Sequence, residues 1–478
     1  MFLLDIVILL AAFFIIGLIR NPKLRTALIT VASVLFVFYL QPLVPIRNFD
    51  YWFPFLTLSF TLLTWAFCAR DPDLPIQANR DELALILFPM LIVALSRHTP
   101  FNTLFTASRP PALWLSLPAI AFLFILLTGS VQLLKKNLTV LYSVLITLLI
   151  SLLVIIKMPC LALKASEILR SISGQQIDSA LASDIRWLGY SYIAFRLLSV
   201  VIDRKKGRKL FVSPGQFVSY VCFPPALAAG PIDRLDRFAK SLAGNFLASI
   251  PYDDAFQRLA IGAFKKFILA DGLAFIALSQ QNHAQFQSSC WTWSALIAYS
   301  LQIYFDFSGY TDIAIGLGLL VGIRLPENFN HPYLKPDIAR FWNNWHMTLT
   351  QWIRSYVFNP LTRKLRSNKQ RPLPQWLIVL LAQFVTMGLI GAWHGVTFNF
   401  LIWGAWHAFG LFIHQLYNDR MKDRLLALQQ RPQIYQLYLL LSWLLTFLFV
   451  ALGWVWFVLA EPGDAMAFYR MLLMGRIP

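Results

Sequence analysis

The chain has 478 residues, of which 58% are hydrophobic and only 13% are charged, and this excludes a soluble globular protein of ordinary composition. Its formal net charge of +18 would suggest nucleic-acid binding in a soluble protein. Here, however, the basic residues fall in short segments between apolar runs, which is the distribution expected for cytoplasmic loops. The composition therefore predicts a multi-pass membrane protein that binds no nucleic acid.

The cysteine pattern predicts neither a zinc site nor a disulfide framework. The four cysteines are far apart, and no two of them form a CxxC pair. We expect them to act as small apolar side chains. They are Cys68, Cys160, Cys222 and Cys290.

The N-terminal third reads as a series of membrane spans. The apolar run Leu3 to Leu18 precedes its basic residues and ends without a small-residue cleavage site, which favours a first span over a cleaved signal. Further runs of suitable length follow at 26–41, 51–69, 83–96, 112–134 and 138–156. Because the 83–96 run is short, we expect it to be tilted, buried or only half-crossing.

The next segment contains basic and proline-rich stretches. The apolar run 187–202 contains Arg196, and five basic residues follow between Arg204 and Lys209, so this cluster is predicted to be cytoplasmic. A solvated loop or a lipid-headgroup patch explains the cluster better than catalysis does. The stretch 223–234 holds three prolines, which indicates either a re-entrant segment or a proline-rich turn.

The remaining spans are predicted near 263–280, 291–322, 373–392, 398–416 and 436–459, which brings the total to eleven or twelve. The loop 280–290 has no Lys or Arg and is predicted to be external. The segment 323–371 carries nine basic residues, and 420–431 is also basic, so both are predicted to be cytoplasmic loops. The predicted fold class is an all-α, polytopic integral membrane protein.

Two acidic residues lie in an apolar run that is long enough to cross a bilayer. The run Y-F-D-F-S-G-Y-T-D-I-A-I-G-L-G places Asp306 and Asp312 six residues apart, with Gly309 between them as a candidate helix break. Burying acids in a membrane is costly. They would orient a histidine, pair with an intramembrane arginine such as Arg196, or cap a broken helix, and the pattern favours a structural role.

Three histidines follow in aromatic surroundings. A helical wheel of 341–356 predicts one amphipathic helix with Asn343 and Thr350 on its polar face and His346 at the boundary, a pattern that an interfacial helix explains without chemistry. A histidine of near-neutral pKa at the end of a span, such as His394, can act as a general base, although the pattern alone favours helix packing. For His407 we expect helix packing with residues on its own face: Trp403, Gly410 and His414.

The order of motifs between Asp184 and Leu459 resembles that of the membrane-bound O-acyltransferase family. Within this family it is most similar to the bacterial branch that contains alginate O-acetyltransferase-like and D-alanyl-transfer proteins. The sequence departs from this pattern at Asn343 and Asn344, where the family usually has basic residues. The motifs that carry the resemblance are YFDFSGYTD from Tyr304, PENFNHPY from Pro326, FWNNWHMTL from Phe341, WHG from Trp393 and WGAWH from Trp403.

The resemblance implies a fold with re-entrant and interfacial helices around a central channel. Together with the apolar runs, it predicts N-terminal transmembrane helices over 1–183, where the resemblance is weak, a catalytic core over 184–460 and a short tail over 461–478. The implied activity moves an acyl group, with acetyl expected, from a cytosolic thioester across the bacterial inner membrane for O-acylation of an extracytoplasmic polysaccharide. D-alanyl transfer from a carrier protein to teichoic acid is the alternative within the family, and a proton-coupled carrier or channel is the alternative outside it.

The resemblance also implies roles for individual residues. His394 matches the residue treated as catalytic in the family, and His346 is expected to line a tunnel and assist transfer. The further channel candidates are Asn343, Thr350, Trp393, Asp306, Asp312 and His407. No metal or bound cofactor is required, because the acyl thioester, expected to be acetyl-CoA, is a substrate. The expected partners are the lipid bilayer, an acyl-carrier protein as a second candidate donor, and a polysaccharide or esterase-like protein as acceptor.

Overall fold

The computed structural model describes residues 3–74, 76–133, 138–244, 250–367 and 372–475. Within these ranges the secondary structure is helical and contains no β-strand, which confirms the predicted all-α class. The helices of the first part are α1 (Leu3–Gly17), α2 (Pro22–Tyr39), α3 (Phe49–Thr64), α4 (Arg80–Leu95), α5 (Leu113–Leu133), α6 (Leu138–Lys157), α7 (Pro159–Ile172) and α8 (Tyr190–Lys205).

Shorter helices alternate with long ones in the rest of the chain. Within the described residues, three π-helical turns interrupt or extend these helices, at Trp65–Ala69, Phe264–Ala270 and Arg354–Phe358. The remaining helices are α9 (Pro214–Val221), α10 (Pro224–Leu227), α11 (Leu235–Ala243), α12 (Tyr252–Ala263), α13 (Asp271–Ala274), α14 (Ser289–Leu320), α15 (Ile338–Asn344), α16 (Met347–Ile353), α17 (Asn359–Arg366), α18 (Gln375–His394), α19 (Phe398–Gln429), α20 (Pro432–Val458) and α21 (Pro462–Met474).

Five of these helical segments are long and apolar enough to cross a membrane by length and composition, within the described part of the chain. They are Pro22–Tyr39, Phe49–Ala69, Leu138–Lys157, Gln375–His394 and Pro432–Val458. The predicted spans 3–18 and 112–134 coincide with the apolar helices α1 and α5. The chain is therefore a multi-pass membrane protein, and the total of eleven or twelve spans stays a prediction.

The chain divides into two compact units. The first comprises Met1–Leu259 and Ile313–Pro326, and the second comprises Ala260–Asp312 and Glu327–Pro478. The predicted boundaries after residues 183 and 460 describe a different division, and they stay a prediction. Both histidines expected to take part in catalysis belong to the second unit, as do the aromatic residues around them.

In the first unit, the proline-rich stretch forms short helices instead of a straight span. The guanidinium group of Arg196 is fully buried and donates hydrogen bonds to the backbone oxygens of Val221, Ala226 and Pro231, at 2.7, 2.7 and 3.4 Å. These bonds satisfy carbonyls that the bends between α9, α10 and the following loop leave without helical partners. Arg196 therefore stabilises the non-helical backbone of this stretch.

Several predictions about local structure are wrong. The segment 341–356 is not one helix, because α15 ends at Asn344 and α16 begins at Met347. Gly309 does not break α14, which runs unbroken for 32 residues. The predicted loop 420–431 is largely helical, because α19 continues to Gln429. No proline occurs in α19 before Pro432, so nothing in the sequence stops this helix where its apolar run ends.

Candidate active site

His346 lies in the turn between α15 and α16. Its backbone adopts the left-handed conformation, with φ 41° and ψ 53°, which is uncommon for a residue other than glycine. This turn breaks the predicted helix and directs the imidazole inward, so that His346 is only 3% exposed and not at an amphipathic boundary. Its ring packs edge-on against Phe307, with 4.7 Å between the ring centroids.

Asn328, from the PENFN segment, holds this turn in place. Its backbone oxygen accepts a hydrogen bond from the Met347 amide at 2.9 Å. Its side-chain oxygen accepts one from the Thr348 amide at 3.3 Å and one from the Thr348 hydroxyl at 2.6 Å. Asn328 and Thr348 are both buried. The motif therefore fixes the residues that directly follow His346, and with them the direction of its side chain.

His394 is the last residue of α18 and is partly exposed. Aromatic rings surround its imidazole: the centroid of Trp393 is 4.6 Å away, that of Phe457 is 4.7 Å away and that of Trp403 is 5.6 Å away. Because α18 ends here, the histidine lies at the C-terminal end of the helix, where the carbonyl dipoles favour positive charge.

His346 and His394 line one cavity of about 40 Å³ within the second unit. Thr350 and side chains from α14, α15, α18, α19 and α20 complete the wall, which is mostly aromatic and aliphatic. The remaining lining residues are Ile303, Phe307, Trp342, Trp345, Leu349, Ile390, Trp403, Trp454 and Phe457. The two histidines come from different sequence motifs and are 48 positions apart in the chain. The structure therefore brings them together in one cavity.

The cavity is small in this conformation. A volume of about 40 Å³ is close to the space of one water molecule, whereas sites for small molecules typically occupy about 300–1,000 Å³. An acyl group reaching the histidines would have to displace aromatic side chains of the wall. The apolar wall also leaves little room for water, which suits a site where a thioester must avoid hydrolysis.

His407 is fully buried beside this cavity and does not line it. Its ring packs against Trp403 and Trp342, with centroid distances of 5.0 and 5.1 Å, and against Phe449 at 5.8 Å. A methyl group added at Gly453 would lie 2.9 Å from His407 Nε2. His407 thus supports Trp342 and Trp403, two residues of the wall, which fits the packing role expected from the sequence.

The two acidic residues of α14 pair with lysines of the π-helical turn Phe264–Ala270. Lys265 lies 2.7 Å from Asp312, and Lys266 pairs with Asp306. Asp312 is buried, whereas the side chain of Asp306 is 52% exposed on the protein surface. The lysines take the place of the predicted arginine partner and neutralise the acids, which favours a structural role.

Gly309 lets α14 approach the lysine-bearing segment closely. A Cβ at this position would lie 2.8 Å from the Gly262 oxygen and 2.9 Å from the Lys266 nitrogen, and any side chain would push the two segments apart. The glycine between the acids therefore permits close packing that brings each carboxylate within reach of a lysine. Close packing therefore explains why position 309 is a glycine, and a helix break is not needed.

The other candidates lie outside the cavity. Asn343 is exposed and accepts a hydrogen bond from Arg354 at 2.8 Å. Trp393 contacts both histidines, with its ring 6.1 Å from His346 and 4.6 Å from His394. A channel role for Asn343, Trp393, Asp306, Asp312 and His407 stays a prediction.

Asn328, Lys265 and Lys266 were not among the candidate residues that the sequence predicted. The lysine pair inside a predicted span was a usable signal, because two adjacent cations in an apolar run call for acidic partners. Asn328 carried no such signal, since its role depends on contacts with Thr348. Among the described residues, no group of three or more His, Cys, Asp or Glu side chains is placed to hold a metal ion.

Substitution of Gly391 provides a test of the packing that positions His394. A Cβ at Gly391 would lie 2.3 Å from the backbone oxygen of Phe400, whereas a Cβ at Gly388, one turn earlier on α18, meets nothing within 4 Å. We expect Gly391→Ala to lower the thermal unfolding midpoint and impair acyl transfer, and Gly388→Ala to leave both near wild type. Equal effects of the two variants would show that close approach of α18 and α19 does not position the site.

Comparison with known proteins gives a family match. The sequence profile described as MBOAT, membrane-bound O-acyltransferase family, matches residues 128–452. The chain is 35% identical over 280 residues to a protein of Pseudomonas putida named "probable alginate O-acetylase AlgI", covering 56% of this chain and 52% of that protein. It is 35% identical over 254 residues to a "peptidoglycan O-acetyltransferase" of Helicobacter pylori, covering 52% and 45% of the two chains.

A third relative carries a different name. The chain is 30% identical over 250 residues to a "teichoic acid D-alanyltransferase" of Streptococcus thermophilus, covering 50% of this chain and 59% of that protein. In each of these comparisons the match spans about half the length of the curated relative.

Proposed function

The chain belongs to the membrane-bound O-acyltransferase family, and we propose that it transfers an acetyl group from a thioester to a hydroxyl group. The observation that carries this proposal is the shared cavity of His346 and His394. Two imidazoles from separate motifs meet in an aromatic enclosure at the end of a membrane-spanning helix. An enclosed site that excludes water and offers basic groups suits acyl transfer.

His394 is the proposed general base. Its imidazole accepts the proton of the acceptor hydroxyl while the hydroxyl oxygen attacks the carbonyl carbon of the thioester. The bond between carbon and sulfur then breaks, and the leaving thiolate takes the proton from the imidazolium. The products are an ester and a free thiol, and His394 is again neutral. Its partial exposure, in contrast with buried His346, makes it the more accessible of the two bases.

His346 is proposed to assist this step from the opposite wall. Burial lowers the pKa of its imidazole below the ordinary value of 6.5, so the ring is neutral near pH 7. The neutral ring offers one donor and one acceptor nitrogen. It can therefore orient the thioester or the hydroxyl by hydrogen bonding without bringing a charge into the apolar enclosure.

The names of the relatives support the choice of acceptor. Alginate, peptidoglycan and teichoic acid are polymers found outside the cytoplasm, so we propose an extracytoplasmic polysaccharide as the final acceptor, reached directly or through an esterase-like partner protein. Acetyl-CoA is the proposed donor, and an acyl-carrier protein is the second candidate. The proposed location is the bacterial inner membrane, where a cytosolic donor and an external acceptor face opposite sides.

The experiment compares a strain lacking the gene with the same strain carrying the wild-type gene. Envelope polysaccharide is treated with mild alkali, and the released acetate and D-alanine are quantified. Restoration of acetate by the wild-type gene is the expected result. Restoration of D-alanine alone would replace acetyl by D-alanyl as the transferred group. No change in either product would overturn the proposed function. Solute movement in vesicles without any acyl donor would favour a carrier instead.

A further inference from the structure

A second cavity, larger than the one between the histidines, lies along α19 and α20. It encloses about 510 Å³, within the range of about 300–1,000 Å³ typical of sites for small molecules. Most of its wall is apolar, with Phe409, Ile413, Leu441 and Leu445 among the lining residues. From Phe409 to Tyr417 the groove follows nine residues of α19, or about 12 Å of helix. This groove plays no part in the proposed chemistry.

The groove opens sideways, where the apolar surface of the protein faces the surrounding medium. The side chains along its rim are strongly exposed: Phe409 is 56% exposed, Leu441 is 57% exposed and Leu445 is 71% exposed. In a multi-pass membrane protein such a surface borders lipid. This lateral opening allows a bilayer lipid to place an acyl chain in the groove directly.

One end of the groove is polar and lies beside positive charge. Tyr417 and Tyr438 line that end, and tyrosines are enriched at the level of lipid headgroups. Arg420 and Arg424 follow Tyr417 on the same face of α19, three and seven residues further along, and both are exposed. This end also begins the basic stretch 420–431, which the sequence predicts to be cytoplasmic.

Asp337, the acidic residue that lines the groove, is paired with neighbouring basic side chains. Asp337 lies 3.2 Å from Arg340 Nε and 3.4 Å from His414 Nε2, and it also accepts the backbone amide of Arg340. Asp337 and Arg340 together carry no net charge, and residues 419–424 carry one net positive charge, because Arg420, Lys422 and Arg424 outnumber Asp419 and Asp423. An anionic group is therefore favoured at the polar end, and an apolar chain is favoured along the rest.

From this combination we infer that the groove between α19 and α20 is a binding site for an anionic phospholipid. One acyl chain lies along the apolar wall, and the phosphate headgroup lies near Tyr417, Arg420 and Arg424. The lateral opening admits the chain from the bilayer, and the two arginines select for negative charge, because each basic side chain near an anionic lipid surface adds several-fold to affinity.

The test measures lipid retention by native mass spectrometry of the purified full-length chain. Phosphatidylglycerol and phosphatidylcholine with identical acyl chains are added at equal concentrations. We expect phosphatidylglycerol to bind at lower concentration, and Arg424→Ala to weaken its binding roughly fivefold. The matched control is Lys422→Ala, which removes the same charge from the opposite face of α19.

A second pair of variants tests the groove itself. Ile413→Trp fills the groove, and Leu440→Trp adds the same side chain to an exposed position of α20 that does not line it. Loss of phosphatidylglycerol binding in Ile413→Trp alone would support the site. Equal binding of the two lipids, equal effects of Arg424→Ala and Lys422→Ala, or unchanged binding in a folded Ile413→Trp would each overturn it. A competition experiment with coenzyme A distinguishes a lipid site from a site for the acyl donor. Displacement of the lipid by coenzyme A would also contradict the inference.

Discussion

Replacement of His394 by glutamine is expected to lower the acetylation of envelope polysaccharide by about 10²- to 10⁴-fold, the usual contribution of a general base. Glutamine keeps a polar side chain of similar reach but cannot accept a proton near neutral pH. The effect should appear as residual acetate release close to that of the strain lacking the gene. The measurement is alkali-released acetate, normalised to the amount of protein in the membrane fraction.

We expect His394→Gln to lose activity because the general base is missing and not because the fold is disturbed. His394 is partly exposed and lies at the end of α18, where substitution disturbs less packing than in the middle of the helix. His394→Gln should therefore insert and purify like the wild type, with a similar thermal unfolding midpoint. His98→Gln, at an exposed position of the first unit, is the control for loss of a histidine. Near-normal acetylation by a well-expressed His394→Gln protein would remove His394 from the proposed mechanism.

Most of the helices could be predicted from the sequence, because apolar runs of fixed length dominate it. The run at 138–156, for example, corresponds to α6, Leu138–Lys157. Helix ends were less predictable, because an apolar run ends where the membrane ends, whereas a helix ends where its hydrogen bonding stops. For this reason α19 extends beyond the predicted limit at residue 416.

The failures at the site share one physical cause. The wheel of 341–356 assumed regular helical geometry, but the left-handed backbone at His346 is stabilised by hydrogen bonds to Asn328, which local periodicity cannot reveal. Likewise, the partners of Asp306 and Asp312 lie 40 and 47 positions earlier in the chain. The motifs supply the candidate residues, whereas the contacts that Asn328 and the two lysines make near them are visible only in the fold.

Asn328→Ala is expected to reduce the catalytic rate by about 10²-fold, because a displacement of about 1 Å at a catalytic group can cost that much. The substitution removes the acceptor of two hydrogen bonds from Thr348 and leaves these donors buried without that partner. Each buried group left unsatisfied costs about 1–3 kcal/mol. The left-handed turn at His346 itself costs about 1–3 kcal/mol, so without Asn328 it should relax and move the imidazole.

Two measurements separate this positioning role from general destabilisation. The loss should fall on kcat more than on KM in vesicles supplied with acetyl-CoA and acceptor, because the misplaced group acts in the chemical step. In a double-mutant cycle, Asn328→Ala should cost little further activity in a His346→Gln background, since it acts through that histidine. Asn330→Ala is the matched control, because the exposed side chain of Asn330 bonds to the neighbouring His331 ring at 3.2 Å, while its backbone amide, which bonds to the Asn344 oxygen, is kept in the variant. Additive losses in the cycle, or an equal loss in Asn330→Ala, would show that Asn328 does not act by positioning His346.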